Sequence, residues 1–376
     1  MCIVLLTTSH PKYALIVLDN RDEFILRPTS RPHWWTAQIE PSSASGTNGS
    51  REISSVDVLS SRDLQRAERG TWLGVTKNGK FAVLTNYRET DTHDTMHPIH
   101  GKRSRGGMVT AWLGADPAES SHDFVRKMLE SGDVKGVGGF SLICGKLRKA
   151  NLEGEKGLEP LAILSNRCDH IDHIPWIGGQ RNSEYGLSNA IYQDEKVEQD
   201  LIWPKVRRGT ELLSQVIADK ASEGKEEDEL VEDLFKILDE DRFPQNHILD
   251  LEEGIPLLKH SIFIPAFGGQ QHQDEMAAAR QRGIIEQAGH GYATETLANV
   301  ARPDDQQNGF QTGLYGTQRQ TVILVDWEGN VTYRERALWD SNGNEIPRGS
   351  GDATFRFKID DWDSELSNDA EQSVSS

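Results

Sequence analysis

The first 23 residues read MCIVLLTTSHPKYALIVLDNRDE, and this stretch decides the fold. Residues 3–8 and 13–19 are mostly apolar and rich in β-branched side chains, which is typical of buried strands. His10-Pro11 interrupts the apolar run, so we predict two strands joined by a turn. In an antiparallel pair the start of one strand lies beside the end of the other. The hairpin is therefore expected to bring Cys2 close to three polar residues, Asn20, Arg21 and Asp22.

A cysteine at position 2 has a chemical property that an internal cysteine lacks. It is small enough for Met1 to be removed, which leaves a thiol and a free α-amine on one residue. An α-amine has a reference pKa near ~8, so it can take the proton of its own thiol at neutral pH. Arg21 would lower the thiol pKa, and the carboxylate of Asp22 would hold the ammonium. The pattern indicates an N-terminal nucleophile; the alternative is a small residue that only begins a buried strand.

Composition excludes several classes of function. The chain has 376 residues, 36% of them hydrophobic, and a net charge of −18 with a pI near 5.1. Such an acidic chain is not expected to bind nucleic acid or anionic membrane surfaces. Its three cysteines are too widely spaced for a disulfide framework, and no stretch has the length of a transmembrane helix or the features of a signal peptide. We therefore predict a soluble cytoplasmic protein of a reducing compartment.

The remaining pattern predicts an α+β protein with antiparallel sheets. Residues 71–76 and 80–85 flank Asn78-Gly79, a strong hairpin signal, and residues 321–325 and 331–336 form another hairpin near the end. Helical patterns fall mainly between these strands. Strands that come in hairpins, with helices in the middle of the chain, favour this class over a doubly wound parallel sheet. The predicted helices cover 108–113, 121–131, 204–221, 226–238 and, within a polar region, 274–287.

We predict one domain, residues 1–362, followed by a disordered acidic tail, residues 363–376. Two stretches are predicted to be surface loops. Residues 41–61 are rich in Ser, Gly and Asn, and residues 268–313 are long, polar and Gln-rich, as expected of an insertion or lid.

Three further clusters contain residue types that bind metals or ligands in other proteins. Cys168-x-His170-x-x-His173 resembles half of a metal site, but no further ligand is evident, so a solvated turn is favoured. The same applies to His93, His97 and His100. His33-Trp34-Trp35 could line an apolar pocket or ligate haem, although packing is the usual fate of paired tryptophans. We predict no resident metal site.

An ordered series of motifs resembles one family. The chain is similar to the NRDE family, also called the transport and Golgi organisation family, whose name comes from the quartet Asn20-Arg21-Asp22-Glu23. The resemblance extends from residue 1 to about residue 337. The other matching segments are Met1-Cys2-Ile3, Arg27-Pro28-Thr29, Trp72-Leu73-Gly74, Thr85-Asn86-Tyr87-Arg88, Ser104-Arg105-Gly106, Ser165-Asn166-Arg167, Gly186-Leu187-Ser188-Asn189, Trp203-Pro204-Lys205 and Tyr315-Gly316-Thr317.

This resemblance implies a fold and a set of site residues. The family is similar to N-terminal nucleophile hydrolases of the choloylglycine hydrolase and penicillin V acylase type, which fold as an αββα sandwich of two antiparallel sheets. Cys2 would be the nucleophile and Asp22 its carboxylate, while Asn86 and Asn189 would form the oxyanion hole. In those hydrolases an arginine precedes the asparagine, at the position where this chain has Asp19, so Arg21 would supply the charge. The late arginine would be Arg319, one residue after its expected position, where Gln318 stands.

The resemblance leaves two functions open. One is intracellular trafficking: Golgi organisation, protein secretion, or handling of haem, lipid or acyl-CoA at a hydrophobic ligand site centred on Cys2. It requires no cofactor, since haem would be cargo, and it implies association with mitochondria or the Golgi. The alternative is a cysteine N-terminal nucleophile hydrolase of a non-peptide amide or thioester. The altered arginine arrangement, with Asp19 at the position of the hydrolases' arginine, favours the first function.

Overall fold

The computed structural model describes residues 2–38, 55–86, 104–135, 137–152, 155–192, 202–219, 224–244, 249–287 and 312–363. Within them the strands are β1 Ile3–Thr7, β2 Tyr13–Phe24, β3 His33–Gln38, β4 Ser55–Ser60, β5 Leu73–Thr76, β6 Lys80–Asn86, β7 Phe140–Lys146, β8 Lys149–Leu152, β9 Glu155–Leu158, β10 Leu161–Ser165, β11 Trp176–Ile177, β12 Glu184–Leu187, β13 Tyr315–Asp326, β14 Asn330–Ala337 and β15 Asp352–Lys358. The helices are α1 Gly106–Leu113, α2 Ser121–Glu130, α3 Pro204–Ala218, α4 Glu227–Leu238, α5 Leu251–Gly254 and α6 Gln270–Gln287.

Two large antiparallel sheets form the centre of the molecule. The first sheet has six strands in the order β12-β1-β2-β13-β14-β15, and the second has seven in the order β11-β10-β7-β6-β5-β4-β3. Strands β8 and β9 pair as a separate ribbon. Every recorded pairing in the two sheets is antiparallel, and neighbouring strands often follow each other in sequence. The prediction of an antiparallel α+β fold is confirmed.

The layers follow from which side chains pack together. Val4 and Val17 of the first sheet share a buried cluster with Val83 and Ile143 of the second, so these faces meet. The other face of the first sheet packs on α3 and α4, and the other face of the second packs on α1 and α2. Each fully buried aliphatic or aromatic side chain contributes about 1.5–3 kcal/mol. The arrangement is the predicted αββα sandwich.

Burial on both faces explains the unbroken apolar run of β1. Along the strand Val4 faces the second sheet, whereas Ile3 and Leu5 face the helices. A strand covered on both sides has no solvent face, so its sequence shows no polar alternation. The close approach of α3 depends on Gly209, because a Cβ there would lie 2.8 Å from Cδ1 of Leu5.

Strand β2 is longer than predicted. The quartet that begins at Asn20 was expected to follow the strand, but it lies inside β2, which ends at Phe24. The reason is that β13 pairs along the whole of β2, from Tyr315 opposite Phe24 to Asp326 opposite Tyr13. Backbone pairing from a distant segment therefore overrides the local turn preference of polar residues.

The predicted surface loops need correction. In the stretch 41–61, residues 55–60 form β4, whose Val58 and Leu59 are fully buried. Alternation of Ser55, Val56 and Asp57 marks a half-buried strand, which the serine content obscured. In the stretch 268–313, residues 270–287 form α6. Residues 41–54 and 288–311 lie outside the described part of the chain, as do residues 364–376 of the predicted tail. A single domain over residues 1–362 stays a prediction.

Candidate active site

Cys2 immediately precedes β1, which lies between β2 and β12 in the first sheet. Ile3 pairs with Asn20 on β2, and Val4 pairs with Leu187 on β12. Continuing both registers towards the amino terminus puts Cys2 level with Arg21 on one side and Asn189 on the other. Side chains alternate along a strand, so Cys2 shares the face of Val4, which is turned towards the second sheet. Cys2 is 5% exposed.

Arg21 lies on the same face as Cys2. Its guanidinium carbon is 4.2 Å from the centroid of the Trp72 ring, which belongs to the cluster between the sheets. Its Nη1 donates a hydrogen bond to Oε1 of Gln318. Burial lowers the pKa of this arginine, and the negative charges of Glu23 and of the Cys2 thiolate oppose the fall, so Arg21 and Cys2 interact electrostatically. The structure thus gives Arg21 a position from which it can stabilise a thiolate.

The side chain of Asp22 points to the other face of β2, towards α3. Its Oδ1 accepts a hydrogen bond of 2.8 Å from Oγ1 of Thr317, and its Oδ2 lies 3.8 Å from Nζ of Lys205. Both carboxylate and ammonium are fully buried. The backbone N–H of Asp22, by contrast, donates to the Cys2 thiol. Asp22 therefore reaches the nucleophile through its backbone as well as its charge.

The two predicted oxyanion asparagines are brought together. Asn189 follows β12 and Asn86 ends β6, and Nδ2 of Asn189 donates to the backbone carbonyl oxygen of Asn86. Between them, Oγ of Ser188 donates to the carbonyl oxygen of Cys2 at 2.7 Å and to Oδ1 of Asn189 at 3.2 Å. Oγ1 of Thr85 donates to the Ser188 carbonyl at 2.8 Å. These bonds tie the ends of β1, β6 and β12 into one site, although the sequence separates them widely.

Arg319 lies opposite Arg21 because β13 contains a bulge. The register between β13 and β2 shifts between Thr317 and Arg319, so Gln318 is the additional residue. Arg319 pairs with Arg21 across the strands, and its Nη1 lies 3.9 Å from Oε1 of Glu335. The bulge absorbs the one-residue offset seen in the sequence. As a result both Gln318 and Arg319 lie beside Arg21.

Two residues of this site were not selected from the sequence. Burial lowers the pKa values of Lys205 and Arg105, and both residues lie close enough to Cys2 for the charge of its thiolate to oppose that fall. Each occurs in a segment that matches the family motifs, at Trp203-Pro204-Lys205 and Ser104-Arg105-Gly106. That match was a signal for both residues. Neither segment is near Cys2 in sequence, so only the folded chain assigns them to the site.

Burial is the strongest influence on the Cys2 thiol. Burial, with a smaller contribution from the negative charges of Asp19 and Asp22, raises the thiol pKa to about 11. The positive amino terminus and the Asp22 N–H oppose this rise. Asp19 is itself fully buried, and burial raises the pKa of its carboxyl group well above the usual range, with Asp22 and Glu335 adding to the rise. The thiol is therefore protonated at neutral pH unless a base lies on the same residue.

The other clusters form no comparable site. No three His, Cys, Asp or Glu side chains in the described residues converge as a metal site. His170 and His173 lie in an exposed turn, whereas His93, His97 and His100 fall outside the described chain. A cleft of about 210 Å³ lies beside Cys168 and Tyr192. None of the helices described has the length and apolar character needed to cross a bilayer.

Comparisons with known proteins agree on the relationship. The chain is 28% identical over 355 residues to the Transport and Golgi organization protein 2 homolog of Bos taurus, which covers 91% of this chain and 95% of the relative. The Homo sapiens homolog is 28% identical over 348 residues with the same coverage. An uncharacterized protein of Saccharomyces cerevisiae is 22% identical over 374 residues, 96% of this chain and 100% of the relative.

Solved structures of two hydrolases are also similar to this chain. Penicillin V acylase from Agrobacterium tumefaciens aligns with a TM-score of 0.36 and 11% identity, over 95% of this chain and 86% of the acylase. A variant of the conjugated bile acid hydrolase from Clostridium perfringens aligns with a TM-score of 0.32 and 12% identity, over 98% and 100% of the two chains. The pattern of the family described as Transport and Golgi organisation 2 matches residues 1–340. Because that match covers most of its length, the chain belongs to the Transport and Golgi organisation 2 family.

Proposed function

We propose that this protein is a cysteine N-terminal nucleophile hydrolase that cleaves an amide or thioester bond. The observation that carries the proposal is the position of Cys2, level with Arg21 and Asn189 at the end of a buried strand. A thiol next to a guanidinium and two convergent asparagines has the parts that acyl transfer needs. Because the chain belongs to the Transport and Golgi organisation 2 family, we propose that this hydrolysis serves transport and Golgi organisation.

Removal of Met1 starts the proposed mechanism. It gives Cys2 an α-amine that takes the proton of the thiol, and the thiolate attacks the substrate carbonyl carbon. The amide N–H groups of Asn86 and Asn189 stabilise the oxyanion. When the intermediate collapses, the bond to the leaving nitrogen or sulfur breaks, and the α-ammonium protonates the leaving group.

Hydrolysis of the acyl-enzyme uses the same groups. A water molecule gives a proton to the α-amine and attacks the thioester carbonyl. Collapse of this second intermediate breaks the bond between carbon and the Cys2 sulfur, and the α-ammonium returns its proton to the thiolate. The products are a carboxylic acid and the free enzyme, so atoms and charges balance.

Replacement of Asn189 by alanine tests the oxyanion part of this mechanism. Loss of a single oxyanion donor commonly lowers kcat by about 10²–10³-fold, and we expect a fall of this size with little change in KM. The control is Asn20→Ala: Asn20 is also fully buried, but its Nδ2 donates to the backbone carbonyls of Leu238 and Ile262 on the helix face. We expect this variant to lose stability and to keep its kcat. Equal kcat values for the two variants would contradict the assignment.

A second function, ligand carriage, is favoured by the buried, protonated thiol. A chain that keeps Met1 has no α-amine on Cys2, and its thiol pKa of about 11 makes nucleophilic attack rare. Such a chain could carry haem, lipid or acyl-CoA in trafficking without turnover. This function predicts that Cys2→Ala keeps its ligand affinity. Titration with haem, followed at the Soret band, and calorimetric titration with a long-chain acyl-CoA measure it; a chain that binds neither is not such a carrier.

A further inference from the structure

Lys205 is a buried charge that the mechanism above does not use. It lies in the first turn of α3, and its side chain is 0% exposed. Within the described part of the chain, its Nζ makes no hydrogen bond, and the nearest acidic atom is Oδ2 of Asp22 at 3.8 Å. Burying an ammonium group is costly unless an opposite charge compensates it. Lys205 is therefore positioned for Asp22 rather than for general stability.

Two positive charges act on Asp22. Lys205 approaches it from α3, and both the Lys205 ammonium and the charge of the chain's amino terminus oppose the rise that burial causes in the Asp22 pKa. Thr317 on β13 donates to it, and Arg21 is its neighbour on β2. Asp19 and Glu23 are the other acidic groups on the same strand, and the charge of the amino terminus also acts on Glu23. Burial raises the pKa of Asp22 and lowers that of Lys205, and each is opposed by the charge of the other.

The register explains why the amino terminus belongs to this group. Cys2 is level with Arg21, and the strands run in opposite directions. The backbone N–H of Asp22 also donates to the Cys2 thiol, so the two residues are in contact. When Met1 is removed, the α-amine is carried by Cys2 at this point. Asp22 then has two nitrogen partners, the α-amine and Lys205.

We propose that Lys205 is a positioning residue that shares Asp22 with the α-amine of processed Cys2 and so sets the pH at which this amine is a free base. If the α-amine were the only partner of the Asp22 carboxylate, the carboxylate would stabilise it as ammonium, which cannot accept the thiol proton. A second cation, Lys205, on the same carboxylate weakens this stabilisation of the ammonium form. The inference rests on the proposed function, in which the amine is the base, and it names a residue that controls it.

The test titrates the α-amine without any turnover. In a Cys2→Ser background, whose small second residue also permits Met1 removal, trace acetylation of the amino terminus is measured by mass spectrometry from pH 5 to 10. We expect Lys205→Met to raise the α-amine pKa by about one unit or more, because a cation is lost and the carboxylate binds the ammonium alone. Asp22→Asn should lower it, and Lys205→Arg should leave it nearly unchanged.

Lys80 provides a matched control. It is another lysine with 0% exposure, but it lies on β6 with its Nζ 2.7 Å from the Asp116 carbonyl oxygen and 4.2 Å from the Trp112 ring. Lys80→Met should destabilise the fold and leave the α-amine pKa as it is. If Lys205→Met does not fold, Lys205→Arg and Asp22→Asn still test the proposal.

Three results would overturn the proposal: an unchanged or lowered α-amine pKa in folded Lys205→Met, a shift equally large in Lys80→Met, or no fall in Asp22→Asn. The predicted shifts in a protein that hydrolyses nothing would contradict the proposed function and would leave the position of Lys205 supported. Hydrolysis by a protein that shows none of these pKa shifts would support the proposed function and contradict the role of Lys205.

Discussion

Cys2→Ala is expected to abolish hydrolysis of amide and thioester substrates, with kcat/KM falling by at least about 10³-fold, because the variant has no atom that can form the acyl-enzyme. Binding of substrate should change little, since the side chain that is lost is small. The measurement is the initial rate of hydrolysis of a panel of acyl amides and acyl thioesters, with Met1 removal confirmed by intact mass.

Cys144→Ala is the matched control for this variant. Cys144 is also a buried cysteine on a central strand, and burial raises its thiol pKa to about 12. It packs with Ala82 and Leu142 on the face covered by α1 and α2, away from Cys2. We expect full activity per folded molecule. Residual hydrolysis in Cys2→Ala that matches the Cys144→Ala rate would rule out Cys2 as the nucleophile.

Retention of Met1 is also expected to reduce the rate of hydrolysis strongly. A chain with one residue ahead of Cys2 has no α-amine on the nucleophile, and burial holds its thiol pKa at about 11. Only roughly three thiols in ten thousand are then ionised near pH 7.5. We expect at least a ~10²-fold loss of hydrolysis, and the same loss in the rate of Cys2 alkylation by iodoacetamide.

The rate of hydrolysis should depend on pH differently in the chains with and without Met1. A raised thiol pKa means that the thiolate fraction grows about tenfold per pH unit until the pH approaches 11. The chain with Met1 should follow that slope from pH 7 to 10, whereas the processed chain should level off near the pKa of its amine. A tag cleaved directly before Cys2 or one residue earlier produces the two forms. Identical profiles would contradict amine-assisted attack.

Much of the fold was predictable because its strands are neighbours in sequence. The β1–β2 hairpin and the Asn78-Gly79 turn follow from local patterns, and Gly79 adopts the positive φ of 84° that such a turn requires. The extension of β2 to Phe24 was not predictable locally. It results from pairing with β13, about 300 residues later, and polar residues such as Asn20 give no strand signal of their own.

The sequence predicted that Arg21 and Asp22 lie near Cys2, but it did not predict the directions of their side chains. Arg21 and Asp22 were both expected beside Cys2, and the structure places their side chains on opposite faces of β2. Arg21 faces the thiol, and Asp22 faces Lys205. The sequence places Arg319 one residue after the expected position, and a bulge in β13 places it opposite Arg21 on β2. Bulges and helix packing depend on contacts between distant segments, which a sequence pattern does not encode.

Asp19 lies on the same strand as Arg21 and affects the electrostatics around Cys2. Asp19 is buried, and neither of its carboxylate oxygens has a hydrogen-bond partner among the described residues. Burial raises the pKa of its carboxyl group well above the usual range, and its charge adds to the rise that burial causes in the pKa of the Cys2 thiol. Arg21, Arg105 and Lys205 then remain the cations that interact with the thiol. This arrangement is compatible with a nucleophile that its own amine must activate.

The most direct measurement is mass spectrometry of the processed protein after brief incubation with an activated acyl thioester, followed by acid quenching and peptide mapping. The proposed function predicts an acyl adduct on the amino-terminal Cys2 peptide, absent in Cys2→Ala and in the chain that retains Met1. Acylation confined to Cys144 or Cys168, or no adduct on a folded protein whose Met1 has been removed, would contradict it.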